Sequence, residues 1–168
     1  MSIDLTLATL KTPIGDLTVV VKADTIVICE FSDREERIAR QLARYYGNAK
    51  IENGSLDHKT SACFEDYFGG KIDALNACKT APMGSEYDLN VWHWLRKIPE
   101  GSTVHYGAIA QSLNSSPRAV GGANGRNPIA LILPCHRVIG ADGSLTGYAG
   151  GVKRKEWLLQ HEGALLAV

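Results

Sequence analysis

The amino-acid sequence predicts an α+β protein. A small N-terminal antiparallel-sheet domain is expected over residues 1–80, followed by a mostly helical domain over residues 81–168 that contains a helix-turn-helix. Three observations carry this. Two runs rich in β-branched residues, Leu17 to Lys22 and Thr25 to Phe31, follow each other closely. The stretch Lys79-Thr80-Ala81-Pro82-Met83-Gly84 reads as a linker. Beyond it, two short helical segments are separated only by Asn114-Ser115-Ser116, the spacing of a helix-turn-helix.

In chain order, Ile3 to Leu10 alternates loosely and reads as a strand, and Thr12 to Asp16 as a turn. The two β-branched runs continue it as a hairpin. Ser32-Asp33-Arg34-Glu35 fits a capping box and opens a helix to about Tyr46, with Ile38, Leu42 and Tyr45 on one face. A second helix runs from His58 to about Phe68 and stops at Gly69-Gly70. Cys29 and Cys63 are expected in the core and His58 at the surface.

After the linker, Ser85 to Lys97 forms a helix with Tyr87, Val91, Trp92 and Leu95 as its apolar face. Tyr106 to Leu113 is a short helix. Ser116 caps the next one and Pro117 suits its first position. That helix carries Ala119, Val120, Gly121, Gly122 and Ala123, and few of the long polar side chains that read bases in the major groove. It is slim enough to approach a nucleic acid backbone, which implies binding by shape. Close helix–helix packing is the other use of such glycines. Leu145-Thr146-Gly147-Tyr148-Ala149-Gly150-Gly151 is a glycine-rich loop without the Lys-Ser/Thr ending of a phosphate loop. Val152 to about His161 is the last helix, with Glu162 and Gly163 at its end.

Composition narrows the function. The 168 residues suffice for one large domain or two small ones, and 45% hydrophobic with 21% charged residues is ordinary for a globular protein. Cys29, Cys63, Cys78 and Cys135 form no C-x-x-C pair, so a zinc site or redox dithiol is poorly supported, and they are too few for a disulfide framework. No metal or cofactor is expected. A reducing compartment, the cytoplasm, follows. Met1-Ser2-Ile3-Asp4 does not open a signal peptide, and no apolar stretch approaches a membrane span. The net charge is zero, yet no acidic residue falls between Glu100 and Asp142, where Arg118, Arg126 and Arg137 lie. One face is therefore expected to approach a polyanion.

The chemistry centres on Leu131 to Val138. The apolar run Ile129 to Leu133 reads as buried, and Pro134 stops it. Cys135 and His136 then stand where buried structure gives way to a turn. A thiol beside a potential base suggests a reactive cysteine. An inert buried cysteine is the alternative.

At this point the stretch Tyr106 to Gly163 resembles the catalytic domain of the O6-alkylguanine-DNA alkyltransferases, the methylated-DNA–protein-cysteine methyltransferases. Pro134-Cys135-His136-Arg137-Val138 matches that family's active-site signature. Arg118-Ala119-Val120-Gly121, Asn127-Pro128, Gly147 to Gly151 and Leu158 to Gly163 match further blocks in order. Ala130 stands where some members carry proline, and the turn before Arg118 is about two residues shorter than usual.

The resemblance implies a single-turnover repair protein that moves an alkyl group from O6-alkylguanine in double-stranded DNA to its own Cys135. O4-alkylthymine is a second candidate lesion. His136 would take the thiol proton through a water and Glu162 would hold the imidazole. Tyr106 would donate to the departing guanine, and Asn127 would brace the turn. Arg118 would fill the place of the flipped base, with Ala119, Gly121 and Gly122 along the DNA. Backbone at Cys135 and Val138 would meet the guanine edge, and Tyr148, Ala149 and Gly150 would line the pocket. A monomer is expected. A non-catalytic binder of alkylated DNA, an unrelated cysteine hydrolase and a transcription factor fit less well, given Cys135 and the small residues of the second short helix.

Overall fold

Strands β1 (Asp4–Leu10), β2 (Leu17–Lys22) and β3 (Thr25–Phe31) form an antiparallel meander, over the residues the sequence predicts. The computed structural model describes residues 3–145 and 147–165. These fall into two compact units, Met1–Met83 and Gly84–Val168.

In the first unit a further strand, β4 (Lys50–Asn53), pairs parallel with β1, giving the order β3-β2-β1-β4. The sheet is therefore mixed, not purely antiparallel. Lys50-Ile51-Glu52-Asn53 is exposed along its whole length, so no apolar alternation marks it. It forms because the outer edge of β1 needs hydrogen-bond partners. Lys50 N–H donates to Ile3 O at 2.8 Å, and Gly54 N–H to Leu7 O at 2.9 Å.

Helix α1 (Glu35–Tyr45) lacks the expected capping box. Its N-cap is Arg34, with no side-chain cap. The Ser32 hydroxyl instead lies 2.8 Å from that of Thr18. Ile38 is buried, and Leu42 and Tyr45 pack on Leu5, Val20, Val27, Ile28 and Tyr46. Helix α2 (His58–Phe68) is capped by Asp57, which accepts from Thr60 N–H at 2.8 Å and buries Phe64 and Tyr67 behind it. Cys29 and Cys78 are buried, Cys63 is half-buried and His58 is exposed. The expected linker begins pinned to β3, with Ile26 N–H donating to Lys79 O and Ala81 N–H to Ile26 O, each at 2.9 Å.

In the second unit, α3 (Glu86–Leu95) is capped by Ser85 and buries Val91, Trp92 and Leu95. Gly84 stands so close to Trp92 that a Cβ would lie 2.5 Å from the indole, so a larger residue there would force the ring or the backbone to shift. β5 (Val104–His105) leads into α4 (Tyr106–Ser112). Leu113 to Ser116 turns the chain into α5 (Pro117–Gly125), with Asn114 in the left-handed region at φ 52°. The Ser116 hydroxyl accepts from Ala119 N–H at 3.1 Å, the predicted cap. Trp92 Nε1 donates to Ala123 O at 2.8 Å and ties α3 to α5. β6 (Val138–Ile139) pairs parallel with β5, and α6 (Val152–His161) closes the unit. No helix among the described residues is long and apolar enough to cross a membrane.

Candidate active site

Ile129 to Leu133 is buried throughout, as expected, and Ala130 to Ile132 run as turns. Leu131 sits at φ 72°, a region costly for a branched side chain. Asn127 brackets it. Asn127 Oδ1 accepts from Ile129 N–H at 3.0 Å, and its Nδ2 donates to Leu133 O at 2.7 Å. Pro134 then leads into a 3-10 turn, Cys135–Arg137.

Cys135 is 7% exposed at the rim of the core. Asn124 of α5 donates from Nδ2 to the Cys135 carbonyl at 3.2 Å, so the cysteine turn is tied to the slim helix. His136, fully buried, donates from Nε2 to Glu162 Oε2 at 2.9 Å. This fixes the tautomer, and the basic Nδ1 is buried without a hydrogen-bond partner among the described residues. Burial holds the imidazole pKa below its ordinary value; Glu162 opposes this, while Arg137 and Lys155 reinforce it. Burial also works against ionising Glu162, but the charges and hydrogen bonds of His136 and Arg137 outweigh it and hold the carboxyl well below the usual range. A neutral imidazole with one nitrogen on a carboxylate and the other open is a competent proton acceptor.

Arg137 does not belong to the expected basic face. It is buried, donating from Nε to Glu162 Oε1 at 2.8 Å, from Nη2 to Oε2 at 3.0 Å and from Nη1 to Ile98 O at 2.8 Å. Arg126 is held by Asp88 through two hydrogen bonds of 2.9 and 2.8 Å. Of the three arginines in the acid-free window, Arg118 alone has no ion pair among the described residues. Burial of an arginine runs against its usual surface preference, and no sequence pattern signals it.

Arg118, Ala119 and Gly122 line a groove of about 530 Å³ on α5, with Tyr87, Ser116 and Arg126. Gly121 lies against the ring of Tyr106, 3.9 Å from where its Cβ would be. The structure thus joins His136 and Glu162 in one network, with Cys135 the preceding residue of the same turn, and places Tyr106 beside α5. Val138 is buried at the end of the cysteine turn. Tyr148, Ala149 and Gly150 are half-buried in the loop before α6, where Gly151 N–H donates to Tyr148 O at 2.9 Å and Arg154 to Gly150 O at 3.2 Å. Thr146 of that loop lies outside the described residues. Sequence reasoning missed Asn124, Arg137 as an internal clamp, and Lys155, whose Nζ donates to Val138 O at 2.6 Å.

Known proteins bear on this arrangement. Residues 86–164 match the family model for the 6-O-methylguanine DNA methyltransferase DNA binding domain. A methylated-DNA–protein-cysteine methyltransferase of Salmonella typhimurium is 43% identical, covering 94% of this chain and 95% of its own length. One from Haemophilus influenzae is 34% identical over 89% of this chain and 82% of its own length. The fold superposes on the crystal structure of the Mycobacterium tuberculosis O6-methylguanine methyltransferase with a TM-score of 0.79 at 34% identity, covering 95% and 93% of the two chains. A structure of the Mycobacterium tuberculosis protein in complex with DNA gives 0.78 at 35% identity, with the same coverage. The chain belongs to the methylated-DNA–protein-cysteine methyltransferase family.

Proposed function

We infer that this protein repairs DNA by transferring the alkyl group of O6-alkylguanine irreversibly to Cys135, in one turnover and without a cofactor. The observation that carries the reading is the His136–Glu162 pair at 2.9 Å with Nδ1 open, on the residue next to the thiol. A thiol at its reference pKa of about 8.5 is only a few per cent thiolate at neutral pH. His136, through a bridging water, takes the thiol proton, and Glu162 stabilises the imidazolium. The new bond joins Sγ to the alkyl carbon while the carbon–O6 bond breaks. Its electron pair leaves with the guanine, and Tyr106 donates the proton that neutralises the base. His136 returns its proton to Tyr106, so the thiol proton ends on the guanine. The thioether formed is stable to water, which limits the protein to one event.

A base inside a duplex is out of reach, so the target is flipped at a cost of a few kcal/mol. The pair α4 and α5 acts as the helix-turn-helix that meets double-stranded DNA. Arg118 fills the gap, Ala119, Gly121 and Gly122 allow close approach, and Tyr148, Ala149 and Gly150 line the pocket. O4-alkylthymine is a further lesion this chemistry admits. The four free cysteines fit a reducing compartment, and the protein acts in the cytoplasm as a monomer, with residues 81–168 as its DNA-binding and alkyl-transfer domain.

The test is intact-protein mass after mixing with a duplex containing O6-methylguanine. A stoichiometric gain of one methyl, mapped to Cys135 and absent in Cys135→Ser, is expected. Tight binding without modification would replace this reading with a non-catalytic binder. Repeated turnover without modification would replace it with a hydrolase.

A further inference from the structure

Helix α3 grips the pair α4 and α5 along its length, each time through a side chain. Trp94 Nε1 donates to the Ser112 hydroxyl at the end of α4, at 3.0 Å. In the turn between the helices, the hydroxyls of Tyr87 and Ser115 share a hydrogen bond of 2.7 Å. Trp92 Nε1 donates to Ala123 O within α5, and Arg126, just past α5, donates to Asp88. Trp92 and Asp88 are buried and fix the body of α5. Tyr87 is half-buried and acts on the turn instead. That turn needs holding. Asn114 stands at φ 52°, a conformation that is uncommon outside glycine and persists where its surroundings over-determine it. Two backbone bonds hold it from α4, Asn114 N–H to Gln111 O at 3.3 Å and Ser115 N–H to Ala110 O at 2.8 Å. The Tyr87 hydroxyl adds a contact from α3.

The placement matters for Arg118, which lies three residues beyond Ser115 in the first turn of α5. Its side chain is exposed and has no ion pair among the described residues. Where its guanidinium reaches is therefore set by the backbone of that first turn. Ser116 caps the turn by accepting from Ala119 N–H at 3.1 Å, and its neighbour Ser115 is the residue that Tyr87 pins. Tyr87 also lines the same groove as Arg118. Misplacing a group by about 1 Å can cost up to about a hundredfold in rate, even from a change far from the chemistry.

We propose that Tyr87 is a positioning residue for base flipping: through Ser115 it holds the turn that aims Arg118 at the duplex. The proposal rests on the reading of Arg118 as the group that fills the gap left by the flipped base. It gives an exposed cation a fixed starting point, supplied by a helix that itself makes no part of the helix-turn-helix.

Tyr87→Phe removes the hydroxyl and keeps the ring. Ser115→Ala removes the other partner of the same bond, and Ser115→Thr keeps it. Single-turnover methyl transfer is measured at saturating protein, from an O6-methylguanine duplex and from free O6-methylguanine. Tyr87→Phe and Ser115→Ala should each slow transfer from the duplex about three- to tenfold, the scale of one hydrogen bond, and leave the free base within about twofold of wild type. Combining the two should cost no more than either alone, and Ser115→Thr should keep the wild-type rate. In an Arg118→Ala background Tyr87→Phe should cost nothing further, because it acts through Arg118. Wild-type duplex rates in Tyr87→Phe overturn the proposal. So do equal losses on both substrates, which assign the bond to packing of the fold. A loss in Tyr87→Phe that Ser115→Ala does not reproduce, or that persists in full without Arg118, overturns it in favour of a Tyr87 hydroxyl that meets the DNA itself. Should Tyr87→Phe not fold, as judged by circular dichroism, Ser115→Ala against Ser115→Thr decides on the same two substrates. Arg118→Ala alone tests the underlying reading: no loss on the duplex, or equal losses on both substrates, would remove the base-replacing role and the proposal with it.

Discussion

The imidazole of His136 and the carboxylate of Glu162 meet at 2.9 Å with both side chains fully withdrawn from solvent. Both groups have pKa values below their ordinary ones in the folded protein. In the unfolded chain they take up protons near pH 6.5 and 4.3, about the reference values, whereas the native state resists until lower pH. The unfolded state thus binds more protons as the pH falls, and native stability declines with it. Thermal unfolding from pH 8 to pH 4 should show Tm falling first below about pH 6.5 and more steeply below about pH 4.5. His136→Gln should flatten the upper part of that fall. A Tm constant from pH 7 to pH 5 would mean that His136 is not held neutral by burial.

Asn127→Ala should weaken the whole turn that carries Cys135. Two buried hydrogen bonds vanish, and the backbone groups of Ile129 and Leu133 lose a partner on either side of the left-handed Leu131. Leaving buried polar groups short of partners costs about 1–3 kcal/mol each. Urea unfolding should therefore register a loss of about 2–5 kcal/mol, and methyl transfer should slow in the protein that remains folded. A loss below about 0.5 kcal/mol would show that the turn holds without this brace.

Tyr106→Phe should slow single-turnover transfer by roughly ten- to a thousandfold, the scale of one donor in a buried site. The hydroxyl is removed while the ring that faces Gly121 is kept. Wild-type rates on duplex DNA would assign Tyr106 to packing alone.

Arg118→Ala discriminates between a base-replacing guanidinium and a simple phosphate contact. A guanidinium can stack and hydrogen-bond where an extruded base has been. That role exists only in a duplex, so transfer from double-stranded DNA should fall by a factor matching a few kcal/mol while free O6-alkylguanine reacts almost normally. A phosphate contact would weaken binding to all DNA and make its salt dependence shallower, without a special loss at the transfer step. Equal losses on both substrates would place Arg118 in support of the pocket itself.

Local signals were legible where a residue's chemistry is satisfied by its own neighbours. Ser116 and Pro117 open α5 as expected, because a hydroxyl one residue ahead of a helix has an orphan N–H within reach. Ser32 carried the same signal and misled, since Thr18, fourteen residues away in sequence, takes its hydroxyl instead. Strand β4 was invisible because its pairing depends on β1 and not on any apolar face of its own. At the site, the pairing of His136 with Glu162 next to Cys135 was legible through the family signature. Arg137, Asn124 and Lys155 were not, although each is bonded to the same turn or network. Their partners are backbone carbonyls and a carboxylate supplied by tertiary contact, and a charged or amide side chain read alone is assigned to the surface.

The pairing of Arg126 with Asp88 and of Arg137 with Glu162 has a consequence for how lesions are found. Each phosphate that a protein neutralises releases condensed counterions, and the logarithm of the binding constant falls with that of salt concentration by about 0.9 per contact. The α5 face brings Arg118 as its one cation without an ion pair among the described residues, so few counterions are displaced there. If this face meets the duplex, its hold on undamaged DNA should depend only weakly on ionic strength. On that reading, the ease with which a weakly paired alkylated guanine leaves the stack would count for more than electrostatic attraction in where the protein pauses.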